Sequence, residues 1–420
     1  MMGSRRPIPL TLYLAMLCQF AVGGAVIPFA GVLLSERGLS YAQVSQIFAL
    51  SSSTLLVFPL LWGMIADRLI PIDRLFTILN LLSLAAFFVL YWQFDFGGLL
   101  IGFLMFYSFY HPTFTLINAL CFHYMDVPEE QFGKVRAWGS VGWMVPSLMI
   151  YALLLWRPGM ELGFILIVGS VAALAMMIVT LLLPRVTIES RAGFREAGGR
   201  ENSRYWEAIG GLMRNGNYVV ILISFFLISG SFSLLTYYSP PHLVSLGMAR
   251  KWIGPVQCIG VVLEIIAFPF LPRLLGRFGY RVCLSAGALC LVARHLIFVF
   301  SSSLWLLALS YLLAAMMVVL FYIGASIMVN HLASRSVRAS AQTILVLIGS
   351  GLGPLVTNGS VSLWLDAYPG DLRPVFLFAG VLAALAVVVI EWRGRRFRVG
   401  PEAAVVQEVR EKGGDVSFPG

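Results

Sequence analysis

Twelve apolar runs, separated by glycine, proline or charge, dominate this sequence: 10–34, 43–66, 75–94, 98–124, 136–156, 161–183, 218–243, 253–275, 281–300, 304–330, 340–364 and 374–391. A spanning helix needs about 20 predominantly apolar residues. Each run is therefore a candidate transmembrane helix, and little of the 420-residue chain is left for a soluble domain. Composition agrees, because 59% of residues are hydrophobic, only 12% are charged and the mean hydropathy is +0.87. Soluble domains carry about 25% charge. The reading is an all-α membrane protein of twelve transmembrane helices in two pseudo-symmetric six-helix bundles. The bundles are residues 1–183 and 218–392, joined by a cytosolic linker at 184–217 and followed by a disordered cytosolic tail at 393–420.

The net charge of +9 would suggest nucleic acid in a soluble protein, but its placement says otherwise. With a cytosolic N-terminus, 23 basic residues fall on inner segments and five on outer loops: Arg37, Arg157, Arg250, Lys251 and Arg373. Positive charge is retained on the cytosolic side. Both termini are expected inside, in a cytoplasmic (inner) membrane, with no nucleic-acid partner. One basic residue is left over, Arg294, inside the ninth run.

The opening Arg5-Arg6 precedes an apolar stretch reaching about Leu34, longer than a signal-peptide core, so it is expected to be the first retained span. The five cysteines lie in apolar stretches without paired spacing and read as small hydrophobes, with no metal site or cofactor expected. Short matches link the halves. Phe58-Pro59-Leu60-Leu61 recurs as Phe268-Pro269-Phe270-Leu271, Val135-Arg136-Ala137 as Val337-Arg338-Ala339, and Leu155-Trp156 as Leu363-Trp364. Offsets of 202 to 210 in corresponding runs point to a duplication, the arrangement from which alternating-access transporters are built.

Ionisable residues inside spans are costly and mark function by default. Among the twenty carboxylates, Glu264 alone lies deep in a run. At a rise of 1.5 Å per residue, Glu264 and Arg294 lie about 17 and 20 Å from the cytosolic face, near the midplane on consecutive antiparallel helices. They are expected to form a pair that a solute or proton exchanges, and a structural ion pair is the plain alternative. His295 follows Arg294 directly. In the fourth run Tyr110 and His111 precede the kink-forming Pro112, with Asn118 beyond. These are candidate binding residues, although aromatic helices serve packing as readily. His123 and His331 sit near cytosolic helix ends and read as ordinary.

The segment Trp62-Gly63-Met64-Ile65-Ala66-Asp67-Arg68 ends the second run with a close-packing glycine, an acid and a surface arginine. Gly63-x-x-Ala66-Asp67-Arg68 resembles the loop motif between the second and third helices of the major facilitator superfamily. Gly133-Lys134-Val135-Arg136-Ala137-Trp138-Gly139-Ser140-Val141-Gly142-Trp143 is similar to the fifth-helix segment of the lactose permease and phenylpropionate permease branch, and Gly24-Ala25-Val26-Ile27-Pro28-Phe29 resembles its first helix. The likeness covers roughly residues 8–392. It implies that Arg136 binds substrate and that Trp143 stacks on a ring, whereas the span count alone leaves Arg136 near the cytosolic helix end. Gly63, Asp67 and Arg68 would act in conformational change.

Departures sharpen the reading. The acid that pairs with the fifth-helix arginine in sugar permeases corresponds here to Asn118. Val261-Val262-Leu263-Glu264 is closer to the phenylpropionate group, and the proton-coupling His and Glu of the tenth helix have apolar counterparts around Ala314 and Met317. The expected function is secondary active transport of a small organic solute, leaning to an aromatic carboxylate, by a proton-coupled monomer that relies on Glu264 with His111 or His295. A sugar or nucleoside symporter is the alternative, on account of Trp143. A transport-dead sensor or partner subunit is the reading from another class. An enzyme would need a nucleophile, base or metal cluster near one face, and no such constellation appears in the sequence.

Overall fold

The computed structural model describes residues 8–124, 128–182, 207, 210–334, 337–368 and 370–394. Most of the expected linker and tail lies outside them, as do the side chains of Asp67 and Arg68. All regular structure among the described residues is helical. We number the spans α1 (Leu10–Glu36), α2 (Tyr41–Arg68), α3 (Ile72–Trp92), α4 (Phe96–Tyr124), α5 (Pro128–Trp156), α6 (Phe164–Leu181) and α7 (Gly216–Ser245). The stretch Arg250–Phe300 is an unbroken apolar helical assignment of 51 residues. At 1.5 Å per residue that is roughly 75 Å, more than twice the hydrocarbon thickness. Gly279 resolves this, because its φ of 77° and ψ of 165° take the chain out of the helix. A positive φ of this kind suits glycine, which has no Cβ to clash. α8 therefore starts as Ile253–Ala267, tightens through the 3-10 turn Phe268–Phe270 and runs to residue 278, and α9 covers 280–300. α10 (Leu304–Leu332), α11 (Ser340–Ala367) and α12 (Arg373–Gly394) complete twelve spans.

Local chemistry sets several boundaries. Ser40 opens α2 with a capping box, its hydroxyl accepting from the Gln43 amide at 3.2 Å while Gln43 Oε1 accepts from the Ser40 amide at 3.0 Å. Pro28 breaks α1 into a 3-10 turn at Ile27–Phe29, as Pro269 does in α8. Trp92, Trp156, Trp305 and Trp392 are exposed near helix ends, where indoles anchor a protein at the membrane interface.

The packing repeats. In the first half α1 packs on α5 and α6, α3 on α4 and α6, and α2 on α4. In the second half α7 packs on α11 and α12, α9 on α10 and α12, and α8 on α10. Each second-half pair is a first-half pair advanced by six. The halves meet where α2 packs on α11 and α5 on α8, two contacts that exchange under the same operation. Apolar burial gives little drive between helices in lipid, so close approach depends on small residues. At the α1–α5 crossing, a Cβ on Gly24 would stand 2.4 Å from the Trp143 carbonyl oxygen, and one on Gly142 would stand 2.1 Å from that of Leu17. These two glycines let α5 lie against α1, which fixes where Arg136 and Trp143 point.

Hydrogen bonds between the halves gather toward the end of the bundle that carries the α1–α2 turn, the outer end in the expected orientation. Arg250 donates to both Glu36 oxygens at 2.9 and 3.0 Å, the Tyr107 and Tyr237 hydroxyls meet, and Ser45 meets Tyr238. Phe48 stacks on Tyr237 at 3.6 Å between centroids. Below this aromatic seal the halves separate around a cavity.

Candidate functional site

The cavity has a volume of about 320 Å³ and lies between α1 and α5 of the first half and α7, α8, α9 and α10 of the second. Each long helix contributes one stripe at helical spacing. α5 presents Arg136, Ser140 and Trp143; α8 presents Gln257, Gly260, Val261 and Glu264; α7 presents Phe232, Leu235, Thr236 and Ser239; and α10 presents Tyr311, Ala314, Ala315 and Val318. Steps of three and four residues put such sets on one face. Phe20 and Ile27 come from α1, and Arg294 from α9. The walls are mainly apolar and aromatic with a few convergent polar groups, the usual character of a small-molecule site.

Charge is distributed unevenly. Arg136 lays its guanidinium 4.3 Å over the Phe20 ring, and its electrostatic partner is Glu264 on the opposite half. Both line the cavity, and among the described residues the two do not close to an ion pair. Arg294 is 2% exposed and sits 4.0 Å over the Tyr311 ring, with Phe298 at 5.6 Å. Its Nε has no hydrogen-bond partner, and among the described residues no carboxylate pairs with it. The expected Glu264–Arg294 pair is thus replaced by a Glu264–Arg136 relation across the halves. The physical reason is register. α5 and α8 run antiparallel in contact, and α5 already begins at Pro128, so Arg136 lies about two turns inside its helix instead of at the surface.

The family model described as the MFS_1 like family matches residues 10–368. The chain belongs to that family. This major facilitator transporter is 24% identical over 398 residues to a probable 3-phenylpropionic acid transporter of Escherichia coli strain K12, covering 93% of this chain and 97% of the relative. It is 25% identical over 390 residues to the maltose permease of Geobacillus stearothermophilus, covering 91% and 94%. The crystal structure of the nucleoside transporter NupG superposes with a TM-score of 0.78 at 18% identity, over 92% of this chain and 98% of that one. The transporter therefore moves small solutes through a multi-pass helical bundle.

Within the transporter, the fold brings Arg136, Trp143, Glu264 and Arg294 to one cavity and leaves other candidates away from it. Tyr110 is fully buried and donates to the Gln19 carbonyl at 3.0 Å, its ring stacked on Phe106 and pressed to Gly23, so it packs α4 on α1. His111, on the next helical face, lies against Tyr107 at 4.5 Å between ring centroids, with a buried unpaired Nε2, outside the cavity lining. Asn118 is one turn beyond Phe114 and does not line the cavity either, and the acid facing Arg136 comes from α8. His295 points about 100° around the helix from Arg294. Its Nε2 meets Ser231 Oγ at 2.8 Å, and its ring packs against Gly380 of α12. Gly63 has open space where a side chain would be, and the side chains of Asp67 and Arg68 lie outside the described residues.

The structure adds lining residues that motif reading passed over: Phe20, Ser140, Thr236, Ser239, Gln257 and Tyr311. A signal for Gln257 was present, since it stands seven residues from Glu264 and so shares its helical face. Its Nε2 donates to the Pro28 carbonyl at 3.3 Å, a group exposed by the break in α1. The serines and the threonine carry no such mark, because hydroxyls in apolar helices commonly bond back to their own backbone, as Thr236 does to the Phe232 carbonyl at 3.0 Å.

Proposed function

We propose that the transporter is a proton-coupled symporter for a small ring-bearing anion, an aromatic carboxylate, which it carries by rocking one six-helix half against the other. The observation that carries this reading is the charge balance of the cavity. Glu264 answers Arg136, and Arg294 is left as a second buried guanidinium with no carboxylate partner among the described residues. A desolvated cation in apolar walls is costly unless an anion neutralises it, and a planar carboxylate matches the guanidinium fork. Trp143, Phe20 and Phe232 offer faces for the ring. Cavity walls drawn from both halves, and hydrogen bonds that close one end, fit a site exposed to alternate sides. The likeness to a probable 3-phenylpropionic acid transporter agrees.

A nucleoside or sugar is the second reading. It is supported by Gln257, Ser140, Thr236 and Ser239, which could hydrogen-bond hydroxyls, and by the likeness to a nucleoside transporter and a maltose permease. Purified protein in proteoliposomes separates the two. With an inward proton gradient, 3-phenylpropionate or benzoate is expected to accumulate faster than in protein-free liposomes under the same gradient and adenosine or maltose not, and pH-driven uptake of adenosine or maltose alone would overturn the anion reading.

The orientation proposed is both termini in the cytosol, with a monomer as the working unit. Reporter fusions after Pro184 and in the tail should report cytosol, and one at Asp95 should report the outside. The same signal at Asp95 and in the tail would contradict the twelve-span topology, and the reverse signal at all three sites would contradict the orientation.

A further inference from the structure

The Arg294 guanidinium rests on a platform that is itself fixed from several sides. Its Cζ lies 4.0 Å over the Tyr311 ring. A phenol face attracts a cation and also sets the plane in which a guanidinium lies. The Tyr311 hydroxyl is 3.0 Å from Ser239 Oγ on α7. Its backbone is pressed by α8 at Gly260, where a Cβ would stand 2.8 Å from the Tyr311 carbonyl oxygen. α7 thus holds the hydroxyl of Tyr311 and α8 packs on its backbone, beneath the arginine that α9 lays on the ring. Glu264 lines the same cavity. A guanidinium released from the ring could swing toward that carboxylate and be lost as a receptor for a solute.

We propose that Tyr311 is a positioning residue that determines specificity: its ring, anchored by Ser239, holds the Arg294 fork in the plane that receives a carboxylate and keeps it from collapsing onto Glu264. The cavity then prefers a planar anion to its neutral isostere. The proposal rests on the anion reading above, and Tyr311 acts through Arg294 without having to touch the solute.

The test is direct binding to the purified full chain, by calorimetry in detergent, of benzoate and 3-phenylpropionate, each beside its carboxamide. Tyr311→Leu is expected to weaken both acids about tenfold, within the range of a desolvated cation–π contact, and to leave the amides within about twofold. Tyr311→Phe keeps the ring face and should hold the acids within about threefold. In an Arg294→Met background, Tyr311→Leu should add nothing. If the unaltered protein binds neither acid, or Arg294→Met binds both as before, the anion reading falls and this proposal with it. If Arg294→Met loses the acids but Tyr311→Leu does not, the positioning role alone is overturned. Equal loss of acids and amides in a Tyr311→Leu protein with unchanged melting temperature would make Tyr311 a solute contact, which also overturns it. Should Tyr311→Leu fail to fold, Ser239→Ala gives the same contrast, with the acids weakened about threefold more than the amides, and equal losses on both would count against the proposal.

Discussion

Replacing Glu264 with Gln is expected to abolish pH-driven accumulation of solute while leaving exchange across the membrane measurable. Glu264 lies deep in α8, lines the cavity and faces Arg136 of the other half. Glutamine keeps its volume and hydrogen-bonding reach but cannot take up or release a proton. For one coupled proton, each pH unit sustains about tenfold accumulation, equivalent to about 1.4 kcal/mol, and the variant should fall to the level of protein-free liposomes, which the pH gradient alone loads with weak acid. Exchange returns the carrier loaded and needs no net proton release, so it should persist. The readout is labelled solute in proteoliposomes, with and without a pH gradient. Accumulation by Glu264→Gln at the level of the unaltered protein would remove Glu264 as the coupling site.

The two arginines separate the substrate classes. Arg136→Lys and Arg294→Lys are each expected to weaken binding of an aromatic acid by about 2 kcal/mol or more, the scale of a charge-assisted hydrogen bond. Lysine keeps the charge but offers a point donor in place of a planar fork, and it loses the stacks on Phe20 and Tyr311. A sugar or nucleoside would give another order of damage. Trp143→Ala would then cost most and Trp143→Tyr would keep part of the contact, because a ring face stacks on indole. Affinity is measured by direct binding in detergent, with melting temperature confirming the fold. Unchanged affinity in both lysine variants would reject the anion.

Much of the fold was legible because lipid imposes strong rules on sequence. Apolar length, loop charge and the repeated Phe-Pro-x-Leu and Val-Arg-Ala segments lead to twelve spans in two related sets, which the packing repeats. The site was legible only in part. Glu264 and Arg294 stood out because charge inside a span is rare, and the fifth-helix resemblance singled out Arg136 and Trp143. What sequence could not supply was azimuth and register between helices. Tyr110, His111 and Arg294 are equally conspicuous as letters, yet Tyr110 turns toward α1 while Arg294 turns into the cavity. His295 adjoins a lining residue and faces α12. The Arg136–Glu264 relation, between residues more than 120 positions apart, depends on α5 lying against α8. Hydrophobic runs specify that helices exist, and the small residues at crossings specify which faces meet, a pattern too diffuse to read without the fold.

The most direct measurement is a binding panel on the purified transporter, in which thermal unfolding is followed with aromatic acids, nucleosides and sugars on the unaltered protein and on Arg294→Met. A ligand that binds the folded state raises its melting temperature, and at one hundred times its dissociation constant the stabilisation is about 2.7 kcal/mol. A cavity built for a ring-bearing anion predicts a shift with an aromatic carboxylate that disappears in Arg294→Met. A shift with nucleosides or sugars only, unchanged in Arg294→Met, would contradict it.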